Sequence, residues 1–259
     1  MERNLKFFYF GHQCPHNAAL MTRIRRFAAQ KGLPLRLMDI SQDEAICERL
    51  RIFSPNMLLV NDKHRLHGPF SLEKVRALVE DEVIEPERYE VKQSEDVAKG
   101  ELVPLASQSV LSTCRPCMGS DEETLCRAKS EWIAKVINSL RLKHLGYLHF
   151  LDGACVGGAE FLPSKCVPYP IPDKRNNNAF LTCSFLSDEK KDYKTYPLMR
   201  LIDDLRAWGF RTLSVAASRD VVFPNGPLEW FENKGFVDIG VLITEPLHKA
   251  EIHYLQLEL

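Results

Sequence analysis

The chain has 259 residues, with 34 basic against 35 acidic side chains and a net charge of −1. Its 45% apolar and 27% charged residues are typical of a soluble globular protein, and the balanced charge argues against nucleic acid as a partner, because phosphate-binding surfaces usually leave a basic excess. No apolar run approaches the roughly 20 residues of a membrane-spanning helix, and the N-terminus lacks a signal-peptide h-region, so we expect a cytoplasmic protein that does not bind membranes.

Short strands alternate with helices over the first 85 residues. Apolar, aromatic Leu5–Phe10 predicts a buried strand, and a helix follows from about His16 to Gln30. Ser41 has Glu44 three residues on, the spacing of a capping box, and predicts the next helix. Two further strands are expected over 33–40 and 56–60, followed by a short strand near 65–68 and a last helix over 71–80.

A cysteine stands at the first strand-to-helix junction, in Cys14-Pro15-His16-Asn17, and Ser54-Pro55 precedes the third strand. With the element order, these residues resemble the thioredoxin fold over 1–85. The resemblance implies a cis Pro55 that faces a reactive Cys14, whose pKa a helix N-terminus lowers. Asn17 stands where a second cysteine would be, so this motif has no dithiol cycle. Cys14 is then a monothiol, a thiol with a distant partner, or part of a docking or structural module.

A cysteine-containing segment follows a predicted edge strand at 89–92. Cys114, Cys117 and Cys126 could bind zinc with a fourth ligand from elsewhere, or an iron–sulfur cluster with one open iron. A redox or substrate-handling thiol pair is a second interpretation, and cysteines that pack inward at a helix start are a third. Simple packing is expected for three cysteines among apolar neighbours, Cys47, Cys155 and Cys183.

The second half begins with a helix whose apolar face includes Trp132 and Leu140. Asp152-Gly153 predicts a tight hairpin, and Pro197 suits the first turn of a later helix. The predicted strands cover 145–151, 154–162, 179–186, 211–216 and 237–243, and the later helices cover 197–208 and 228–233.

Three motifs in this half carry a second resemblance: Asp152-Gly153-x-x-Val156-Gly157, Leu181-Thr182-Cys183, and the segment 230–236, Trp-Phe-Glu-Asn-Lys-Gly-Phe. Their order and spacing resemble the GNAT N-acetyltransferases over 88–250, including the cysteine-containing helical segment 110–140. We therefore expect an α/β (α+β) protein, with a thioredoxin-like domain at 1–85 followed by a GNAT-like mixed-sheet acyltransferase fold at 88–250.

The GNAT resemblance implies that acetyl-CoA is the cofactor. Strand amides near Phe185 and Leu186 would hold its pantetheine arm, and the loop before the next helix would bind its diphosphate through N–H groups and the helix dipole. That loop contains no glycine, which makes close approach of the backbone harder, although lysines could supply charge. Phe231 stands where the family often has a proton-donating tyrosine. The loop residues expected to contact the cofactor are Lys190, Lys191, Lys194, Thr195 and Tyr196.

The sequence predicts an N-acetyltransferase that acts on a small-molecule or protein amine. Glu160 is the candidate general base, with His149 as a second candidate, and the thioredoxin-like domain would recruit substrate or sense thiols through Cys14. The alternative is a catalytically degenerate protein that binds a metal or senses oxidants through Cys114, Cys117 and Cys126. A third hypothesis is a thiol oxidoreductase that uses Cys14.

Overall fold

A computed structural model of the chain describes residues 3–85, 94–110, 123–219, 221 and 223–259, without the side chains of 123–125. The predicted edge strand at 89–92 lies outside the described residues, as do Cys114 and Cys117. The described residues form an α/β protein with two sheets, the larger of which is mixed.

Residues 3–85, which we call the N-terminal layer, form a four-stranded sheet with strand order β2-β1-β3-β4. Strand β1 is parallel to β2 and antiparallel to β3, which is antiparallel to β4. The element order matches the sequence prediction. The elements are β1 (Leu5–Tyr9), α1 (Pro15–Lys31), β2 (Leu35–Asp39), α2 (Glu44–Leu50), β3 (Asn56–Val60), β4 (His64–His67) and α3 (Leu72–Val79).

Helix α2 has a different N-cap from the predicted one. Asp43, not Ser41, accepts a hydrogen bond from the backbone N–H of Ile46, at 2.9 Å. The Ser41 hydroxyl instead donates to Asp39, at 2.5 Å. The capping-box prediction is therefore wrong, because a nearer carboxylate takes the orphan N–H.

The expected cis-proline at position 55 is also wrong, because the Ser54–Pro55 bond is trans. Among the described residues, the cis peptide bonds are Phe223–Pro224 and Gly226–Pro227. The Pro55 carbonyl accepts hydrogen bonds from the Phe10 N–H, at 2.9 Å, and from Asn17 Nδ2, at 3.1 Å. These hydrogen bonds connect the residue before β3 to the end of β1 and to the first turn of α1.

The larger sheet has seven strands in the order β10-β11-β9-β8-β7-β6-β5. Strands β8 and β9 are parallel, and the other neighbours are antiparallel. Strands β5 and β11 were not predicted, and β11 lies between β9 and β10. The elements are β5 (Glu101–Pro104), α4 (Glu123–Leu140), β6 (Gly146–Leu151), β7 (Ala154–Pro163), a 3₁₀ turn (Ser164–Cys166), β8 (Asn178–Leu186), α5 (Thr195–Ala207), β9 (Thr212–Ser218), α6 (Leu228–Glu232), β10 (Val237–Glu245) and β11 (Ala250–Glu258).

The two faces of the larger sheet bury different partners. Helices α5 and α6 pack on one face, around Phe161, Leu181 and Leu201. On the other face, a hydrophobic core is shared between α4, the sheet and the N-terminal layer. Phe10 makes edge-to-face contacts with Trp132 and Tyr169, with centroid distances of 5.8 Å in both pairs. None of the described helices is long and apolar enough to cross a membrane.

Candidate functional site

A cavity of about 480 Å³ lies between the N-terminal layer and strand β8. Its wall combines residues that are far apart in sequence. The N-terminal layer contributes Gln13, Cys14, His16, Pro55 and Phe70, strand β8 and the following loop contribute residues 182–189, and the remaining wall includes Lys129, Lys194, Phe223, Gly226, Glu245 and His248.

Strands β8 and β9 diverge beside this cavity. They pair only from Asn178 to Phe180 on β8, opposite Thr212 to Ser214 on β9. Strand β8 then continues to Leu186 without pairing to β9. This divergence leaves one edge of β8 facing the cavity.

Asn225 bridges the gap between the diverging strands. Its Oδ1 accepts a hydrogen bond from the Ser184 N–H on β8, at 3.0 Å, and its Nδ2 donates to the Ala216 carbonyl on β9, at 3.3 Å. The Ser184 N–H therefore points toward β9. Strand alternation gives the Leu186 N–H the same direction, so β8 has a hydrogen-bonding edge beyond Asn225.

Glu160, the predicted base, is fully buried and bound by three side chains. Oε1 accepts from Gln13 Nε2 at 2.6 Å and from Thr182 Oγ1 at 2.9 Å, while Oε2 is 2.6 Å from Lys129 Nζ. Gln13, Thr182 and Lys129 line the cavity, whereas Glu160 lies behind them. This geometry suits a residue that positions its neighbours, and proton abstraction by Glu160 stays a prediction.

Cys14 stands at the N-cap of α1 and lines the cavity, as half-buried Cys183 does from β8. Burial raises the pKa of Cys14 to about 12, assisted by the nearby Cys183 thiol and opposed by Lys129. The expectation of a lowered pKa is therefore wrong, because desolvation outweighs the helix dipole. Fully buried Asn17 accepts from Asn56 Nδ2 at 2.9 Å and donates to the Gly11 carbonyl at 3.0 Å.

The start of helix α5, where the sequence predicts a diphosphate site, is capped by buried Asp192. Asp192 Oδ1 accepts from the backbone N–H groups of Lys194 and Thr195, at 2.9 and 2.8 Å. Oδ2 accepts from Thr195 Oγ1 and from Trp230 Nε1, at 2.5 and 3.0 Å. Burial alone would raise the pKa of Asp192, but these hydrogen bonds hold it below its usual value.

The three lysines of this loop have different surroundings. Lys190 and Lys191 are exposed and do not line the cavity, and Lys191 Nζ is 3.4 Å from Asp96. Lys194 lines the cavity but is 1% exposed, with Nζ 3.0 Å from the Gly226 carbonyl and 4.1 Å from the Trp230 ring centroid. Burial lowers the pKa of Lys194 to about 7.

Phe185 and Leu186 line the cavity, as their predicted role requires, whereas Tyr196 lies elsewhere, in a shallow depression with Tyr147 and Arg200. His149, the second candidate base, is fully buried below Tyr196, with a ring-centroid distance of 5.5 Å. Its Nδ1 is 3.1 Å from the Tyr193 carbonyl, and its Nε2 has no hydrogen-bond partner among the described residues.

Of the predicted metal ligands, only Cys126 belongs to the described residues. It is fully buried and disulfide-bonded. No cluster of three or more His, Cys, Asp or Glu side chains suited to a metal ion occurs in the described part of the chain. Cys47 and Cys155 are buried, as predicted. Cys183 faces the cavity instead, because β8 no longer pairs with β9 at this position.

Sequence reasoning missed several polar residues that shape the cavity. Asp192 had a readable signal, since an Asp side chain just before a predicted helix often accepts hydrogen bonds from the backbone N–H groups two or three residues on. Asn225 and Gln13 carry no such signal, because their partners lie 41 and 147 positions away. Lys129 is a lysine on an amphipathic helix, where exposure is the ordinary expectation.

No family model matches the chain, and no curated protein matches it. Solved structures give matches to N-acetyltransferases. An N-acetyltransferase from Staphylococcus aureus Mu50 is 12% identical and covers 62% of this chain and 99% of its own, with a TM-score of 0.45. A ribosomal-protein-alanine N-acetyltransferase from Brucella melitensis is 14% identical over 62% of this chain and 100% of its own, with a TM-score of 0.43. A PaiA N-acetyltransferase from Thermoplasma acidophilum, solved with coenzyme A, is 14% identical over 61% of this chain and 98% of its own, with a TM-score of 0.41.

Proposed function

We propose that the protein is an N-acyltransferase that binds the pantetheine arm of an acyl thioester, such as acetyl-CoA, along β8 and transfers the acyl group to an amine in the cavity. The observation that carries this proposal is the divergence of β8 from β9 after Phe180, directly beside the cavity of about 480 Å³. An unpaired strand edge inside a protein needs hydrogen-bond partners, and a linear ligand with amide groups can provide them.

The described residues fit one part of CoA and not the other. Pantetheine contains two amides, which suit the β8 edge near Leu186, and its thioester end would reach the part of the cavity lined by Cys183 and Lys129. The diphosphate does not fit at the start of α5, because the Asp192 carboxylate accepts from the N–H groups of Lys194 and Thr195 and places its own negative charge there. No step of the proposed reaction uses that part of the cofactor.

The proposed reaction needs little covalent participation from the protein. The neutral amine attacks the thioester carbonyl, a C–N bond forms and the C–S bond breaks, and the proton lost by nitrogen passes to the departing thiolate. Holding the two reactants in contact supplies much of the rate. The network of Gln13, Thr182 and Lys129 around Glu160 fixes the cavity wall against which they would meet.

We assign the N-terminal layer to substrate recruitment. Its strand order, with β1 between a parallel β2 and an antiparallel β3, agrees with the thioredoxin-like fold predicted for residues 1–85. Thiol sensing receives less support, because the pKa of Cys14 is raised to about 12 and Asn17 fills the second cysteine position as a buried structural residue. The layer supplies the cavity wall opposite β8, where the amine would enter.

The test is acetyl-CoA binding by calorimetry, followed by thiol release with a panel of primary amines. Two variants at one position report on the cavity. Cys183→Trp fills it and should abolish binding, whereas Cys183→Ala should retain binding and thiol release. Absence of binding to the wild type at millimolar acetyl-CoA would overturn the proposal, and so would equal binding by the two variants.

A further inference from the structure

We infer that this protein recognises its acyl donor as an acyl-pantetheine, without a binding site for the nucleotide diphosphate of CoA. The inference rests on the proposed function, since it specifies the donor of the same cavity. Three features carry it: the capped start of α5, the charge of the loop before α5, and the chain segment that covers that loop.

The start of α5 carries a carboxylate of its own at the position where an anion would bind. Helix N-termini attract anions through unpaired N–H groups and a partial positive charge. Asp192 accepts from the N–H groups of Lys194 and Thr195 and is 4% exposed. Trp230 Nε1 and Thr195 Oγ1 bind the second oxygen, so the carboxylate is held by four donors. A diphosphate would have to displace a buried charge that these donors satisfy.

The charges facing the cavity at this end are also unfavourable for a diphosphate. Asp188 and Glu189 line the cavity, whereas Lys190 and Lys191 do not. Lys194 lines the cavity but is directed to the Gly226 carbonyl and the Trp230 ring. Lys234 Nζ is 3.8 Å from Asp192 Oδ2, and Lys234 does not line the cavity. The described residues at this end of the cavity therefore present mainly acidic groups to a ligand.

The loop is further held by the segment before β5. The Asp192 N–H donates to the Asp96 carbonyl at 2.9 Å, and the Ala98 N–H donates to the Asp192 carbonyl at 3.1 Å. This bridge uses both backbone groups of Asp192, so the residue is fixed by main chain and side chain together. Rearrangement around a diphosphate would break both sets of hydrogen bonds.

The pantetheine part of the donor has no such obstacle. Leu186 presents its backbone to the gap between β8 and β9, and Asn225 closes that gap only as far as Ser184. An uncharged arm with two amides needs only this edge and the adjoining apolar wall of the cavity. The same arm occurs in CoA and on acyl carrier proteins, and both would offer the same two amides and thioester to this site.

The experiment compares S-acetylpantetheine and acetyl-CoA by calorimetry on the wild-type protein. We expect the two dissociation constants to agree within about threefold, and the constant for acetyl-CoA to change less than about twofold between 50 and 500 mM salt, because no phosphate is bound. Acetyl-CoA binding at least 30-fold tighter would overturn this inference and leave the proposed function standing. Failure of both ligands to bind would overturn the proposed function and this inference with it.

A variant tests the assignment to Asp192 directly. Asp192→Asn removes the negative charge, so we expect acetyl-CoA to bind several-fold tighter while S-acetylpantetheine binds as before. Asp96→Asn, an exposed carboxylate paired with Lys191 on the same loop, should change neither constant. A folded Asp192→Asn protein with an unchanged ratio of the two constants would overturn the role of Asp192.

Titration with an acetylated acyl carrier protein distinguishes the two sources of the acyl-pantetheine. Tighter binding than that of S-acetylpantetheine identifies the carrier protein as the donor, and equal binding identifies the small thioester.

Discussion

Gln13 Nε2 donates a 2.6 Å hydrogen bond to Glu160 Oε1, and this contact joins the loop before α1 to the middle of β7. Both residues are at most 1% exposed. Gln13 is next to Cys14, and Glu160 lies behind the cavity wall, so the contact joins the N-terminal layer to the larger sheet beside the hydrophobic core that the two share. A buried carboxylate in this position has to be compensated by its neighbours.

Lys129 is the cation that faces the Glu160 carboxylate, at 2.6 Å, which leads to a stability prediction. Lys129→Met should lower the free energy of unfolding by about 3–5 kcal/mol, because it leaves the Glu160 carboxylate buried without its cation. Urea denaturation at pH 7.5 measures the change. Lys135→Met, at an exposed position of the same helix, should stay within about 0.5 kcal/mol of the wild type. Equal effects of the two substitutions would contradict the ion pair.

Cys14 should react slowly with alkylating agents. With a pKa of about 12, only about three thiols in 10⁵ are ionised at pH 7.5, and the thiolate is the nucleophile. The rate of alkylation by iodoacetamide, followed by peptide mass spectrometry, should rise about tenfold per pH unit from pH 7 to pH 10. Cys14→Ser identifies the peptide. A rate that reaches a plateau below pH 9 would show an activated thiol and would restore the thiol-sensing hypothesis.

Lys194 should make stability depend on pH in the alkaline range. Its folded-state pKa is lowered from 10.5 to about 7, so between these values the unfolded state binds one more proton and stability rises with pH. The full penalty for burying the ammonium applies below pH 7 and disappears above about pH 10.5. Lys194→Met should remove a slope of about 1.4 kcal/mol per pH unit between pH 7.5 and 9.5, measured by urea denaturation.

The control for this prediction is Lys190→Met, because Lys190 is exposed on the same loop. It should retain the wild-type slope. If the wild type and Lys194→Met show parallel curves over this range, Lys194 is an ordinary charged lysine.

Local patterns predicted much of the fold. The apolar run Leu5–Tyr9 and the turn residues Asp152-Gly153 were enough to predict the strands at these positions. The alternation of buried and exposed side chains along a strand is visible in a few consecutive residues. Strand β11 was not predicted, although apolar Ile252 and Tyr254 alternate with polar residues in the pattern of a strand. Its place between β9 and β10 depends on pairing with residues far away in sequence.

The site was less predictable than the fold. Phe185 and Leu186 line the cavity as expected, since the strand motif itself fixes their position. The predicted roles of Glu160 as a general base and of Lys194 as a cofactor contact stay predictions, and the partners of these side chains, Lys129 and the Gly226 carbonyl, come from other elements. The pKa of Cys14 could not be inferred from its helix position, because the desolvation that dominates it comes from packing between the two sheets.

Glu245 at the end of β10 forms a second connection between the sheets, and it leads to a prediction for acidic pH. Its carboxylate is 3.1 Å from Arg65 Nη2 and 2.8 Å from His67 Nε2, both on β4. Burial alone would raise the pKa of Glu245, but His67 and Arg65 hold it below its usual value. The group therefore adds stability above its unfolded-state pKa, near 4.5, and this stability is lost as the pH falls through the lower folded-state value.

Replacement of this carboxylate should change both the stability and its pH profile. Glu245→Gln should lower the free energy of unfolding by about 3 kcal/mol at pH 7, because Arg65 keeps its charge in a largely buried position without a counterion. The deficit should shrink as the pH falls below 4.5, where the wild type loses the same interaction. Glu251→Gln, an exposed carboxylate 3.5 Å from His253, should stay within about 0.5 kcal/mol of the wild type throughout. A deficit for Glu245→Gln that is the same at pH 3 and pH 7 would mean that the lost stability comes from packing and not from the charge of Glu245.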